Sequence, residues 1–391
     1  MSRRSIRVIA VTLGFLASAG VSAAEWVVAQ VAGFTGPSAH IGLDLRAGAT
    51  IAINGINARG GIAGRKIRLV SQDDANDPEK TAVMARSLLE KEHAIALFGT
   101  GNSDTTAAVI KAGLLDSSGV PLIGPRSGAA NVLKPANANV FVTRATYVDE
   151  LSALFRHCAG SGFQNIAVVY QQDGFGSDLL ASAERLADAH KIRLVAKVPY
   201  AAKPAQRNQV TSTPDVRAAI DALVRVPHQA VLLATEFDVA ASLISTYKGD
   251  ANPGMLMTVS ANDGESLAQR IGLARARGVW VTETVPAPRN QGVPLVRKFI
   301  GDLKAGGVAE ADIEDMKLTA PMLEGYVAMQ VIIEGLRRAG PTADPVKLAR
   351  AVQGIRDLDL GGYRISFDGE SRSGSRFVEV GVLDRNGDVI R

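Results

Sequence analysis

The sequence predicts an α/β fold built from two Rossmann-like lobes. Short apolar segments alternate with longer segments in which apolar residues recur every three or four positions, as in parallel strands joined by helices. This alternation runs through residues 26–144 and again through 150–285, and a helical block follows at 295–353. The chain has 391 residues, enough for two domains of ordinary size. Its 47% hydrophobic and 21% charged residues are typical of a globular protein.

The first strand–helix–strand unit has the clearest pattern. Residues 26–32 form an apolar strand, and the glycines and proline of 33–37 break it into a loop. A helix is predicted next from the stripe Ile41, Leu45, Ala49, Ala52 and Ile56. Gly60, Gly61 and Gly64 end this helix because glycine accepts positive φ, and 67–71 is the next strand.

Topology alone predicts where a site would lie. In sheets of this type ligands bind at the carboxyl ends of strands, where loops lead into helices. Residues 34–40 and 72–77 are therefore predicted at the edge of a site.

The rest of the chain continues the alternation. Further strands are predicted at 94–98, 121–124, 140–144, 166–170, 194–199, 230–235, 255–260, 279–285 and 363–367. Further helices are predicted at 103–117, 150–159, 177–190, 216–226, 239–247, 295–305, 316–338 and 345–353. A hairpin with Asn386-Gly387 at its turn is predicted at the end, and an exposed loop at 201–214.

The N-terminus predicts export. Three arginines precede the apolar run 8–19, and small residues follow at 21–24, so 1–23 is predicted to be a secretory signal peptide and the mature protein periplasmic. The alternative is a membrane anchor, but the run is shorter than the roughly 20 residues that a span needs. Removing 1–23 lowers the formal charge from +4 to +1. Because no basic cluster with aromatic residues appears, nucleic-acid binding is not predicted.

Cys158 is the only cysteine, so no internal disulfide is predicted. It lies in the predicted helix at 149–160, either as a buried apolar residue or as the link of a disulfide-bonded dimer. A monomer is the expectation.

Signatures of catalysis are missing from the sequence. There is no phosphate-binding Gly-x-x-x-x-Gly-Lys-Ser/Thr loop, no Gly-x-Ser-x-Gly elbow and no complete dinucleotide fingerprint. The five histidines have no metal-ligand spacing, and the acidic segment 73–77 lacks the glycine and terminal glutamate of a calcium loop. We therefore predict no enzyme, no cofactor and no metal.

Residues 31–78 carry a family motif in three parts. These are Gly-Phe-Thr-Gly-Pro-Ser at 33–38, Ile-Asn-Ala-Arg-Gly-Gly-Ile-Ala-Gly at 56–64 and Asp-Asp-Ala-Asn-Asp-Pro at 73–78. This order resembles the N-terminal lobe of periplasmic solute-binding proteins of ABC importers, of the branched-chain amino-acid (leucine/isoleucine/valine) type. The resemblance covers nearly all of 25–391 and is strongest in the first 150 residues.

The resemblance implies a type 1 periplasmic binding protein fold with three interlobe crossings, near 144–147, 282–285 and 362–366. It divides the chain into an N-terminal lobe of 24–147 plus 283–362 and a C-terminal lobe of 148–282 plus 363–391.

The resemblance also implies a carboxylate site in the first lobe, made by hydroxyls and amides at helix N-termini. Thr100 and Ser103 lie in one of its loops, and Ser127 and Gly128 in the other. Ser103 has an alternative role as a helix N-cap. Arg126 is larger than the usual family residue and either pairs with an acidic ligand or points outward.

In the second lobe, Phe175 matches the aromatic residue of the cleft, with a helix-entry staple as the alternative. The segment Glu236-Phe237-Asp238 follows the predicted strand 230–235 and is expected to face the same cleft. The ammonium-binding carboxylate of the family falls near Ser260, where this chain has no glutamate, so Glu236 or Asp263 would have to substitute. Tyr147, at the first crossing, either contacts the ligand or braces the hinge, and Arg144 is expected to tie the crossing strands.

Together these features predict the extracytoplasmic solute-binding component of an ABC importer. Its lobes would close by a hinge motion over an amino acid or related small carboxylate, and its partner would be the membrane permease. An amine-free aromatic or other organic acid remains an alternative ligand. A sensor for a membrane receptor is an alternative role, and an enzyme on the same scaffold is a third.

Overall fold

A computed structural model describes residues 25–36, 38–201, 214–250, 254–367 and 372–391. The predicted signal peptide and most of the predicted loop at 201–214 lie outside these residues. Within the described ranges, no helix combines the length and the apolar character that crossing a membrane requires.

Two large sheets organise the molecule. The first is a five-stranded parallel sheet of order β2-β1-β3-β4-β5. Its strands are β1 (Trp26–Ala32), β2 (Ile67–Asp73), β3 (Ala96–Phe98), β4 (Leu122–Ile123) and β5 (Val140–Phe141).

The second sheet has seven strands in the order β14-β13-β10-β9-β8-β6-β7. Its parallel strands are β6 (Asn165–Gln171), β7 (Arg193–Tyr200), β8 (Ala230–Ala234), β9 (Met255–Thr258) and β10 (Trp280–Glu283). A separate two-stranded sheet joins β11 (Leu358–Asp359) to β12 (Arg364–Ile365). The antiparallel pair β13 (Glu379–Leu383) and β14 (Val389–Ile390) extends the large sheet, with Gly387 at φ 84° in its turn, which confirms the predicted hairpin.

Helices cover both sheets. In chain order they are α1 (Ala39–Ala58), α2 (Pro78–Glu92), α3 (Ser103–Lys111), α4 (Leu114–Ser118), α5 (Tyr147–Gly160), α6 (Gly174–Ala187), α7 (Pro214–Val224), α8 (Phe237–Asp250), α9 (Gly264–Ile271), α10 (Leu273–Ala276), α11 (Pro294–Ala305), α12 (Glu310–Asp315), α13 (Ala320–Ala339) and α14 (Pro345–Gln353). We call the five-stranded sheet with α1–α4 and α11–α14 the first lobe, and the seven-stranded sheet with α5–α10 the second lobe.

The core of the first lobe centres on the contact between α1 and α13. Helix α13 is buried along almost its whole length. The two helices approach so closely that a Cβ at Gly48 would lie 1.8 Å from the Met322 carbonyl oxygen, and one at Gly325 would lie 2.2 Å from that of Leu45. Glycine at these positions lets the backbones meet.

The chain passes between the sheets three times: from β5 to α5, from β10 to α11 and from β12 to β13. Tyr363 ties these crossings together, because its hydroxyl lies 2.9 Å from the Thr143 carbonyl oxygen and 3.0 Å from that of Thr284. The α/β fold of two lobes with three crossings is confirmed.

Several predicted elements need correction. The single helix predicted at 103–117 is two helices, because Gly113 adopts φ 65° between α3 and α4. The helix predicted at 316–338 begins only at α13, where Thr319 caps it and a proline occupies its first turn. The predicted strand 363–367 is the two-residue β12. Helices α2 and α9 were not predicted; both begin at aspartate caps, Asp77 and Asp263.

Candidate functional site

A cleft of about 870 Å³ opens between the two lobes. Loops at the carboxyl ends of strands in both sheets form its walls, as the topology predicted. Its lining from the first lobe includes Thr35, Asn76, Asn102, Ser103 and Arg126, and from the second lobe Phe175, Glu236, Phe237, Asp238 and Ala261. This volume is within the range of small-molecule sites, roughly 300–1,000 Å³.

Three hydroxyls meet at one end of the cleft. Ser103 Oγ lies 2.8 Å from Ser127 Oγ and 3.4 Å from Tyr147 Oη. Asn102, not Ser103, caps helix α3, since its side chain accepts from the Thr105 amide at 2.9 Å. The Ser103 hydroxyl is therefore not needed as a cap and faces the cleft at the positive end of α3.

Thr100, Ser127 and Gly128 are buried and do not belong to the cleft lining. Ser127 supports Ser103 and accepts from the Ala129 amide at 3.2 Å. The carbonyl of Gly128 accepts from the Tyr147 amide at 3.0 Å, and a Cβ there would come within 2.6 Å of that nitrogen. The hydroxyl of Thr100 pairs with that of Thr106. These three residues lie behind the cleft wall and support the residues that form it.

Two aromatic rings form the adjoining wall. Phe175 and Tyr147 pack edge to face with centroids 5.3 Å apart. Asp173 caps α6 by accepting from the Gly176 amide at 2.9 Å, so Phe175 lies inside the first turn and is not a staple preceding the helix. Burial raises the pKa of Tyr147, which keeps its hydroxyl neutral.

An acidic group lies in the same cleft region. Carboxylate oxygens of Asp104, Asp173 and Glu236 all lie within 4.8 Å of one another. Gln171 links this group, because its amide contacts Asp173 and its side-chain oxygen accepts from the Glu236 amide at 3.2 Å. Glu236 lines the cleft, as the sequence predicted, but the convergence of the two aspartates was not predicted.

Ser260 and Asp263 have structural contacts instead of lining the cleft. The Ser260 amide donates to Glu150 Oε2 at 2.8 Å, and its hydroxyl contacts Arg144. Asp263 caps α9 by accepting from the Ser266 amide at 2.8 Å. Among the predicted substitutes for the family's ammonium-binding carboxylate, Glu236 is therefore the one that reaches the cleft.

Arg144 forms a buried ionic network beside the crossings. It lies 2.8 Å from Glu150 and 3.3 Å from Glu324, and all three are buried. Although burial alone lowers the pKa of Arg144, the two glutamates raise it above its usual value. The tie between crossing strands that the sequence predicted is present, since the Arg144 carbonyl also accepts from the Ser373 hydroxyl at 2.7 Å.

Arg126 lines the cleft but does not point outward. It is only 4% exposed, and its guanidinium donates to the carbonyls of Ser260 at 2.5 Å and Ala261 at 3.1 Å. Its Nε lies 3.5 Å from Glu324. The outward orientation considered from the sequence is wrong.

Other contacts also join the lobes. The His40 and Phe237 rings lie 4.5 Å apart, and the Ala130 amide donates to Asp178 at 3.2 Å. Lys317 in the first lobe donates to Gln269 in the second at 3.1 Å. The two lobes are therefore in contact around the cleft.

Asp238 is a further ionisable residue of the cleft, in the segment 236–238 that was expected from the sequence to face it. It is 8% exposed, and burial raises its pKa to about 6, opposed by Arg270 at 3.6 Å. It lies in the first turn of α8, two positions after Glu236.

Comparison with known proteins identifies a matching family and individual relatives. The periplasmic binding protein family matches residues 25–388. The Leu/Ile/Val-binding protein homolog 3 of Brucella melitensis is 25% identical, over 90% of this chain and 88% of that protein. An amino acid binding protein of Pseudomonas aeruginosa is 30% identical, over 46% of this chain and 48% of that protein.

A solved structure agrees with the fold. The crystal structure of a substrate-binding periplasmic protein from Ralstonia solanacearum superimposes with a TM-score of 0.84 at 30% sequence identity. The match covers 94% of this chain and 99% of that one.

Proposed function

Because the chain belongs to the periplasmic binding protein family, as a substrate-binding protein and not an enzyme, we propose that it is the extracytoplasmic solute-binding component of an ABC importer. Its ligand would be an amino acid, held in the interlobe cleft. The names of these relatives, Leu/Ile/Val-binding protein and amino acid binding protein, support this ligand class.

The main support for the proposal is that the cleft contains two chemically opposite groups. One consists of hydroxyls at a helix N-terminus, and the other consists of carboxylates. The hydroxyls of Ser103 and Tyr147 lie at the N-terminal end of α3, where amide groups and the helix dipole favour an anion. Glu236 approaches from the second lobe with Asp104 and Asp173 nearby. A ligand with one carboxylate and one ammonium matches this arrangement.

In this proposal the carboxylate binds first to Ser103, supported by Ser127, Gly128 and Thr100. Glu236 then receives the ammonium, and Phe175 and Tyr147 pack against the apolar part of the ligand. Ser260 contributes indirectly, through its contact with Arg144. Closure is a hinge motion at the crossings, favoured because the bound ligand touches both lobes.

The proposal includes the division of the chain into lobes of 24–147 plus 283–362 and 148–282 plus 363–391. It also includes a monomeric periplasmic protein, exported by residues 1–23, that delivers its ligand to a membrane permease. The family membership supports this location and partner.

A ligand screen tests the proposal. Purified residues 24–391 would be titrated in a thermal-shift assay with the common amino acids, their amides, and amine-free aromatic and aliphatic carboxylates. A ligand that binds only the folded form raises the melting temperature by mass action. We expect the melting temperature to rise with amino acids but not with their amides or with their amine-free analogues.

If only amine-free acids raise the melting temperature, the ligand is an organic acid and not an amino acid. If a purified, folded protein shows no shift with any compound, even after unfolding and refolding to remove co-purified ligand, the amino-acid proposal is wrong.

A further inference from the structure

We propose that Arg126 is a positioning residue that holds the two lobes together before any ligand binds. It does so by donating hydrogen bonds from the first lobe to main-chain carbonyls of the second. The proposal goes beyond solute binding: it depends on hinge closure of the lobes but not on the identity of the ligand.

The geometry places Arg126 between the lobes. Its backbone belongs to the loop after β4 in the first lobe, and its guanidinium reaches the loop after β9 in the second. There its two terminal nitrogens donate to two consecutive carbonyls, those of Ser260 and Ala261. A planar guanidinium suits such a two-point contact, because its donors have a fixed fork geometry.

The charge of Arg126 is balanced without a ligand. Its Nε lies 3.5 Å from Glu324, which also pairs with Arg144, and Arg144 pairs with Glu150. Two arginines thus face two glutamates in this buried network. Because the positive charge is already compensated, Arg126 does not require an anionic ligand, and each of its two terminal nitrogens donates a hydrogen bond to the second lobe.

The contact has a consequence for closure. The acceptors are backbone carbonyls of the second lobe, so the contact uses no atom of a ligand. Arg126 therefore favours the closed arrangement in the empty protein, and a ligand needs to supply less of the free energy of closure. Arg126 directly precedes Ser127, which contacts Ser103. Arg126 therefore also fixes this pair of serines relative to Ala261 on the other side of the cleft.

The matched variants are Arg126→Met and Arg68→Met. Methionine keeps an unbranched apolar stem but removes the donors, and Glu324 keeps Arg144 as its partner at 3.3 Å. Arg68 is the control, because it lies in the first lobe and pairs only with Glu25 and Glu92 of the same lobe in the described residues. Both variants lose one positive charge.

The measurement is the distance between the lobes in ligand-free, refolded residues 24–391. Spin labels on cysteines introduced at Val83 in α2 and Leu273 in α10, which are 70% and 47% exposed, would report it by double electron–electron resonance. Cys158 is buried and is replaced by alanine in all variants. We expect the ratio of the short-distance to the long-distance population to fall about tenfold in Arg126→Met. The same ratio should be unchanged in Arg68→Met.

Three outcomes would overturn the proposal. One is an unchanged distance distribution in a folded Arg126→Met protein. Another is a wild-type protein that populates only the long distance. If Arg126→Met does not fold, Arg126→Gln takes its place under the same criterion, and failure of both to fold would show that the guanidinium serves the stability of the first lobe. Because no ligand is used, these outcomes are independent of the ligand screen.

Discussion

Ser103 Oγ lies 2.8 Å from Ser127 Oγ, although the two serines follow different strands, β3 and β4. Parallel strands that are neighbours in a sheet end at the same edge, and this brings together residues that are 24 positions apart. The Ser103 hydroxyl faces the cleft with Ser127 behind it, so Ser103 is the residue through which the hydroxyl pair would act on a ligand.

Replacing Ser103 by alanine is therefore expected to weaken amino-acid binding by roughly tenfold, as for the loss of one hydrogen bond to a charged group. Isothermal titration calorimetry measures the effect. Ser117→Ala is the control, because Ser117 is exposed and its hydroxyl bonds only within its own helix region. An affinity that is equal in Ser103→Ala and wild type would remove Ser103 from the site.

Arg144→Met is expected to destabilise the protein strongly. The substitution leaves Glu150 without its arginine partner in a fully buried position, and breaking a buried ion pair in this way costs about 3–5 kcal/mol of unfolding free energy. Lys197→Met, which removes an exposed pair with Glu184, should leave the unfolding free energy almost unchanged. Urea denaturation of both variants makes the comparison, and similar midpoints would contradict the role assigned to the network.

Asp238→Asn is expected to change the pH dependence of stability. Burial raises the pKa of Asp238 from 3.8 to about 6, so between these pH values the folded protein binds more protons than the unfolded chain. This contribution to stability is complete below pH ~4 and is lost as the pH rises through about 6. Asparagine mimics the protonated acid, so the variant should be more stable than wild type above pH 6, by on the order of 3 kcal/mol, and similar at pH 4.

Melting temperatures from pH 4 to 8 test this expectation. Glu90→Gln makes the same change of charge at an exposed position of α2 and should leave the pH profile unaltered. Parallel profiles for Asp238→Asn and wild type would show that Asp238 ionises normally in the folded protein.

Local signals were sufficient to predict much of the fold and part of the site. Ser103 and Phe175 follow strands directly, so their position at the cleft follows from the order of the elements. The helix break at Gly113 was missed because the apolar spacing continues across it, whereas its positive φ depends on the turn. The grouping of Asp104 with Asp173 and the reach of Arg126 to Ala261 join segments far apart in the chain, and no periodicity encodes such distances.

The close approach of α1 and α13 gives the last prediction, on stability. A Cβ at Gly48 would lie 1.8 Å from the Met322 carbonyl oxygen, which belongs to helical backbone and cannot move aside alone. Gly48→Ala must therefore separate the two helices that form the centre of the first lobe, and we expect a loss of about 3 kcal/mol or more, the size of severe overpacking.

Gly301→Ala is the matched control for this substitution. Gly301 lies in α11, where an added Cβ meets no described atom within 4 Å, so the higher helix propensity of alanine should stabilise the protein by about 0.5–1 kcal/mol. The two alanine variants thus have opposite expected signs in the same denaturation experiment. A Gly48→Ala protein as stable as wild type would show that the α1–α13 contact is looser than the structure indicates.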